Sequence, residues 1–170
     1  MKIRACAGDD LAAVYAIQLK CPPAAQWRQE DYLHLAAEPS GMILVAEVED
    51  PSPPEVAGFA VFHRVMDEAE LRNIAIHPTH QRKGIARALL EMAIRTLHES
   101  GVRQLFLEVR ASNHPALAFY ASVGFRLLYR RHDYYQAPLE DALVMACAIP
   151  TSSDFPLSRE LHGDDSLEPR

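Results

Sequence analysis

Two residues in the second half of the sequence, Glu108 and Tyr120, are of types that move protons. Glu108 lies in the run Leu105-Phe-Leu-Glu-Val-Arg110. Strand alternation there puts Leu105, Leu107 and Val109 on one face and Phe106, Glu108 and Arg110 on the other. A carboxylate in so apolar a run is either a paired charge, with Arg110 or Arg72 as partner, or a general base. Tyr120 falls two turns inside a helix that starts at about His114. It reads either as a core aromatic with its hydroxyl at the rim or as a proton donor with an ordinary pKa of about 10.

A second group of residues is suited to phosphate. In Gln81-Arg-Lys-Gly-Ile-Ala-Arg87 a glycine opens a helix, with Arg82, Lys83 and Arg87 around its first turn. The first turn of a helix leaves backbone N–H groups unpaired, and the helix dipole adds about half a positive charge there. Gly84 has no Cβ to hold a phosphate away. A diphosphate suits this turn.

The elements that must carry these groups follow from pattern. Leu71, Ile74 and Ile76 belong to a strand that ends near His77, because Pro78 has no amide to continue it. Beyond Gly84, Ile85, Leu89, Ala93 and Leu97 recur four apart beside Ala86, Leu90 and Ile94, with Arg87, Glu91, Arg95 and Glu99 opposite: an amphipathic helix. Upstream, Lys2 to Ala5 is a first strand, and Asp9 or Asp10 caps a helix that Pro22-Pro23 stops. A loop containing Trp27 leads to a second helix before Pro39. Met42 to Glu49 and Val56 to Met66 are strands joined by a polar, proline-rich turn, and with the Ala69 strand they form an antiparallel meander. After Gly101 follow strand Gln104 to Arg110, the helix from His114 capped by Ser112 or Asn113, a stop at Gly124, and strands near Phe125 to Tyr134 and Ala142 to Ile149. The fold class is α/β (α+β), with a mixed sheet.

The 170 residues, 49% of them apolar, suffice for one domain, placed at residues 1–150. Residues 151–170 turn polar and add nothing to the core, or bind a partner. The three cysteines, Cys6, Cys21 and Cys147, form no metal or redox pair, and Cys147 reads as core. His77 and His80 lack a third ligand of matching spacing, so no metal is expected. A net charge of −6 without a basic stripe argues against nucleic acid and suits a basic substrate. Without a long apolar run or a signal-like N-terminus, a soluble cytoplasmic protein, off the membrane, is expected.

The spacing Gln81-x-x-Gly84-x-Ala86 resembles the (Arg/Gln)-x-x-Gly-x-(Gly/Ala) signature of the GNAT superfamily of acyl-CoA-dependent N-acyltransferases. Asn113-x6-Tyr120-x3-Gly124-Phe125 resembles its second motif. Leu71-Arg-Asn-Ile-Ala-Ile76, Leu107-Glu-Val-Arg-Ala-Ser-Asn113 and Arg130-Arg-His-Asp-Tyr-Tyr135 ahead of Glu140-Asp-Ala142 resemble, within it, the ribosomal-protein-alanine N-acetyltransferases (RimI type). The similarity runs from Ile3 to Pro150.

The resemblance implies a mostly antiparallel central sheet of about seven strands flanked by about four helices. It implies acetyl-CoA as cosubstrate, Glu108 as base and Tyr120 as acid. Backbone at Ile74, Ala75 and Ile76 would hold the acetyl-pantetheine arm, and Gln81, Arg82, Lys83, Gly84, Ile85, Ala86 and Arg87 the pyrophosphate, with Asn113 also on CoA. Trp27, Tyr134 and Tyr135 would flank the acceptor, although Trp27 reads first as an anchor of its loop in the core. The implied acceptor is a protein N-terminus, that of an alanine-starting ribosomal protein, for a monomer or weak dimer. A small amine or lysine side chain, and a non-catalytic CoA-binding module, are the alternatives. Ala86 for the commoner second glycine, Asp133 where asparagine is expected, and a short Gln136 to Leu139 loop depart from the pattern; the last two bear on the acceptor.

Overall fold

The computed structural model describes residues 1–22, 24–50 and 53–150. The expectation for residues 151–170 falls outside the described residues. The elements are β1 (Lys2–Ala5), α1 (Leu11–Leu19), α2 (Gln29–Ala37), β2 (Gly41–Val48), β3 (Glu55–Val65), β4 (Glu68–Ile76), α3 (Ile85–Glu99), β5 (Gln104–Arg110), α4 (His114–Ser122), β6 (Arg126–Gln136) and β7 (Leu139–Ala148).

Seven strands form one sheet in the order β1-β2-β3-β4-β5-β7-β6. Only β4 and β5 pair in parallel. α3 supplies the crossover between them, which a parallel pair requires. Strand β7 starts at Leu139, earlier than the sequence pattern indicates, because Ala137 and Pro138 alone connect it to β6.

The sheet is covered on both faces, so two cores form. On one face α3 and α4 pack through Ile85, Leu89, Ala93, Leu97 and Tyr120 onto Leu44, Phe62, Leu71, Leu105 and Leu107. On the other, Leu11, Val14 and Ile17 of α1 and Tyr32 and Leu35 of α2 cover Ile43, Val45, Phe59 and Val61. Leu89, Leu97, Phe59 and Phe62 are fully buried, each contributing roughly 1.5–3 kcal/mol. The amphipathic reading of α3 holds, with Arg87, Glu91, Arg95 and Glu99 exposed.

One expectation fails. Neither Asp9 nor Asp10 caps α1 with its side chain. The Asp10 carboxylate instead accepts from the Ala7 amide at 2.7 Å and takes Arg4 in a two-oxygen pair at 2.6 and 2.9 Å. A bidentate guanidinium outweighs one backbone cap.

Two irregularities shape the middle of the sheet. Against β3, the register of β4 shifts between Leu71 and Asn73, leaving Arg72 as an extra residue. Side-chain parity therefore inverts: Ala69 and Leu71 face α3, whereas Ala75 joins the α1 and α2 core and Ile74 and Ile76 take over the α3 face. Against β5, pairing runs only from Glu68↔Gln104 to Leu71↔Leu107. Beyond Leu71 the two strands part.

Candidate active site

The parting of β4 from β5 opens a cleft of about 1490 Å³. It is lined by both strands, by the loop before α2, by the mouth of α3, by α4 and by the end of β6. Glu108 and Tyr120 both line it. They reach it from opposite faces of the sheet, since Tyr120 belongs to the α3 and α4 core and Glu108 lies opposite Leu107 and Val109. A molecule threaded between the strands has one on each side.

The open edge of β4 supplies backbone. His77 N donates to Ala57 O of β3 at 2.8 Å, and antiparallel alternation then commits the amide and carbonyl of Ala75 to β3 as well. The groups of Ile74 and Ile76 point the other way, toward the cleft. The Ile76 carbonyl already accepts from Cys21 Sγ at 3.2 Å and Gln81 Nε2 at 3.1 Å. Of the expected trio, Ile74 and Ile76 thus carry the outward backbone groups.

At the other end of the cleft lies the α3 mouth. Its first intrahelical bond runs from Ala88 N to Gly84 O at 3.1 Å, so the amides of Ile85, Ala86 and Arg87 stand ahead of the ladder. Arg82 and Gly84 both have left-handed backbone, φ 64° and 81°. Such turns gather amide hydrogens into an anion-binding concavity. A Cβ added at Gly84 would meet nothing within 4 Å, so the glycine is required by its φ rather than by crowding. Arg82, Lys83 and Arg87 are exposed around it. This is a fit for a diphosphate.

Asn113 caps α4, its Oδ1 accepting from Ala116 N at 3.3 Å, with Pro115 in the first turn. Its amide NH2 is left for a ligand. Tyr120 is buried between Phe119 and Phe125, ring centroids 5.4 and 5.6 Å away. Burial raises its pKa well above the usual phenol value, and Tyr135 adds to the shift. It stays protonated, as a donor must.

Glu108 is paired with neither Arg110 nor Arg72. Arg110 binds Glu140 at 3.2 Å and stacks over Tyr135 at 4.0 Å, while Arg72 binds Glu70 at 3.2 Å. The partner of Glu108 is Arg131 of β6, whose guanidinium also lies 4.9 Å over the Tyr134 ring. Hydrogen bonding to Glu108 raises the Tyr134 hydroxyl pKa. Tyr134 and Tyr135 stack edge to face at 5.2 Å, and both line the cleft, as does Trp27.

Sequence reasoning missed Arg131 for a local reason. Between Arg131↔Ala142 and Tyr135↔Glu140, β6 spends four residues where β7 spends two. Asp133, at φ 51°, makes the bulge, a conformation asparagine and aspartate tolerate best. The Asp133 amide donates to Asp141 Oδ1 at 3.0 Å. Ahead of this bulge, β6 carries one extra residue between Leu127↔Met145 and Tyr129↔Val144, which inverts parity, so alternation counted from Leu127 puts Arg131 on the face away from Glu108.

The thiols and histidines do other work. Burial pushes the Cys147 thiol up to about 11, which suits a core residue and not a nucleophile. His77 contacts Lys20 at 2.9 Å and His80 contacts Glu55 at 2.9 Å. No helix among the described residues is long and apolar enough to cross a membrane.

Comparison with known proteins agrees with this geometry. The model of the acetyltransferase (GNAT) family matches residues 11–125. The ribosomal protein bS18-alanine N-acetyltransferase of Escherichia coli K12 is 48% identical over 97 residues, an alignment that takes in 56% of this chain and 66% of that relative. The chain thus spans just under two-thirds of that relative in the matched stretch. The crystal structure of the Escherichia coli ribosomal-protein-S18-alanine N-acetyltransferase superposes with a TM-score of 0.77 at 35% identity, covering 91% of this chain and 97% of that one. Arabidopsis thaliana NAA60, solved with a bisubstrate analogue, shares the fold at 19% identity and a TM-score of 0.77, over 89% of this chain and 99% of that one. With a family match across most of the chain and the parted β4 and β5 strands between Glu108 and Tyr120, the protein belongs to the GNAT acetyltransferase family.

Proposed function

We propose that the chain transfers an acetyl group from acetyl-CoA to the α-amine of a protein N-terminus, with the N-terminal alanine of a ribosomal protein as the acceptor. What carries the reading is the placement of Glu108 and Tyr120 on opposite faces of one sheet, at the gap between β4 and β5. The likeness to the bS18-alanine enzymes supports the choice of acceptor. So does the cleft wall, which includes Trp27, Tyr134 and Tyr135.

Acetyl-CoA, when bound, supplies the activated acyl carbon. The α3 mouth with Arg82, Lys83 and Arg87 holds its diphosphate, and the NH2 of Asn113 is a further contact. An α-amine has a pKa of about 7.7 to 8.0, so at neutral pH it must lose a proton before it attacks. Glu108 takes that proton, directly or through water. The outward amides of Ile74 and Ile76 face the carbonyl oxygen as charge develops on it. Tyr120 gives its phenolic proton to the departing sulfur. Gln81 serves the loop itself, tying it to the Ile76 carbonyl.

The test is incubation with acetyl-CoA and peptides beginning Ala, Ser, Met or Gly, beside free polyamines, following thiol release. Turnover with the Ala-starting peptide is expected. Turnover with polyamines alone overturns the peptide acceptor.

A further inference from the structure

A buried polar knot lies beneath the loop that carries Trp27, on the α1 and α2 face of the sheet. Its members are Gln18 of α1, Tyr32 of α2 and Asn73 of β4, which are 1%, 0% and 4% exposed. Gln18 grips the backbone of Trp27 at both groups: its Nε2 donates to Trp27 O at 2.8 Å, and its Oε1 accepts from Trp27 N at 3.0 Å. Tyr32 donates its hydroxyl to the same Oε1. Asn73 Nδ2 donates to Ala25 O at 2.9 Å, to the Tyr32 hydroxyl at 2.9 Å and to Gln18 Oε1 at 3.3 Å. The backbone of Ala25 and Trp27 is held to this face through those three side chains, while Gln26 Nε2 adds donations to the Gln18 and Cys21 carbonyls at 3.4 and 3.3 Å.

The orientation of Asn73 is fixed by those partners. Three acceptors surround Nδ2, so exchanging its nitrogen and oxygen would turn an oxygen onto the Ala25 carbonyl. The orientation leaves Oδ1 buried with no hydrogen-bond partner among the described residues. An unpaired buried acceptor is destabilising. An apolar side chain at 73 would avoid that loss but would abandon the loop. The extra residue at Arg72 is what turns Asn73 to this face at all, since unbroken alternation would place it with Leu71 against α3. Arg72 itself lies with its guanidinium 6.0 Å from the Trp27 ring, and Tyr32 packs against that ring at 5.2 Å.

We propose that Asn73 is a positioning residue for the acceptor: through Gln18 and Tyr32 it fixes the Ala25–Trp27 loop, and with it the wall of the cleft that receives the amine. The inference rests on the proposed function for the identity of that amine, but the placement of the loop does not depend on it. The α3 mouth and Asn113, which hold the other substrate, share no bond with the knot.

Trp27 is the only tryptophan, so its fluorescence reports the loop directly. In Asn73→Leu, a red-shifted emission and stronger acrylamide quenching are expected, because the ring loses its fixed seat. With whichever peptide or amine the unaltered enzyme turns over, acceptor KM is expected to rise roughly tenfold, the scale of one lost buried hydrogen-bonding group. The dissociation constant for CoA, measured by calorimetry, is expected to stay within about twofold. Gln18→Leu is expected to reproduce the emission change. Should Asn73→Leu fail to fold, amide exchange in the unaltered protein decides: the Trp27 N–H, bonded to Gln18, is expected to exchange far more slowly than that of exposed Gln26. Unchanged Trp27 fluorescence, an unprotected Trp27 amide, or an equal loss of CoA and acceptor affinity each overturns the proposal. An absence of turnover with every peptide overturns the acceptor reading instead, and leaves the fluorescence result standing.

Discussion

The carboxylate of Glu108 is ion-paired with the guanidinium of Arg131, which arrives from a different strand across the sheet. The residue proposed as the base, which would receive an ammonium proton, therefore already holds a cation. The Arg131 side chain is 46% exposed, and Glu108 19%. Solvent weakens such a pair, so displacement by an incoming amine is feasible. Arg131→Gln removes the competitor. A fall in acceptor KM of about two- to fivefold, with acetyl-CoA KM unchanged, is expected from initial-rate kinetics. A rise in acceptor KM would mean that Arg131 binds the acceptor.

Glu108→Gln keeps size and shape but cannot take a proton. A loss of about 10² to 10⁴ in kcat is expected, with CoA affinity retained by calorimetry. The residual rate of this variant is expected to climb as pH rises through about 8, since the amine then sheds its proton to solvent. An unchanged kcat would remove Glu108 from the chemistry.

Tyr120→Phe retains the ring between Phe119 and Phe125 and deletes only the hydroxyl. A kcat loss of about 10² or more with little change in melting temperature is expected. Because burial holds the Tyr120 pKa above its ordinary value of about 10, the phenol keeps its proton throughout the neutral and mildly alkaline range. No fall in kcat from loss of the acid is therefore expected between pH 8 and about 10. A titration of activity within that window that vanishes in the phenylalanine variant would contradict the assignment.

Much of this was legible in the sequence because it depends on short-range rules. The apolar repeat of α3 needs only helix periodicity, and the face of Glu108 needs only the alternation of β5. What stayed hidden depends on where strands lose register. The extra residue at Arg72 swings Asn73 under the Trp27 loop, and the extra residue between Leu127 and Tyr129 turns Arg131 to the face of Glu108. Neither shift has a sequence marker. The parting of β4 from β5 is likewise a property of the pair, not of either strand. The positive φ of Gly84 also belongs to the loop's backbone and is not written in the motif spacing.

That φ gives the next expectation. Alanine at position 84 meets no neighbour, so Gly84→Ala tests backbone conformation alone. A left-handed alanine costs about 1–2 kcal/mol. Stability is expected to fall by about that much, or the loop to relax and lose its concave array of amides. In the relaxed case acetyl-CoA KM is expected to rise about tenfold while acceptor KM stays put. Equal rises in both would place the loop's role elsewhere.

Acid stability follows from the carboxylates. Hydrogen bonding from Arg4, and from the Ala7 amide, holds Asp10 below its ordinary range. Bonds from Ser112 do the same for Glu140, and the Asp133 amide does so for Asp141. A lowered folded pKa means that the unfolded chain takes up protons first. The stabilisation is complete above the unfolded values of about 3.9 for Asp and 4.3 for Glu, and is lost as pH falls through the folded ones. Urea midpoints are expected to be flat with respect to these groups from pH 7 to about 5, then to drop steadily toward pH 2. Asp10→Asn lowers the midpoint at pH 7, where the wild-type carboxylate is charged and bound to Arg4. As the pH falls through the lowered folded pKa the wild-type group is neutralised too, so the gap between the two proteins narrows. A gap that stays constant over that range would show that the substitution acts through packing and not through the Arg4 pair.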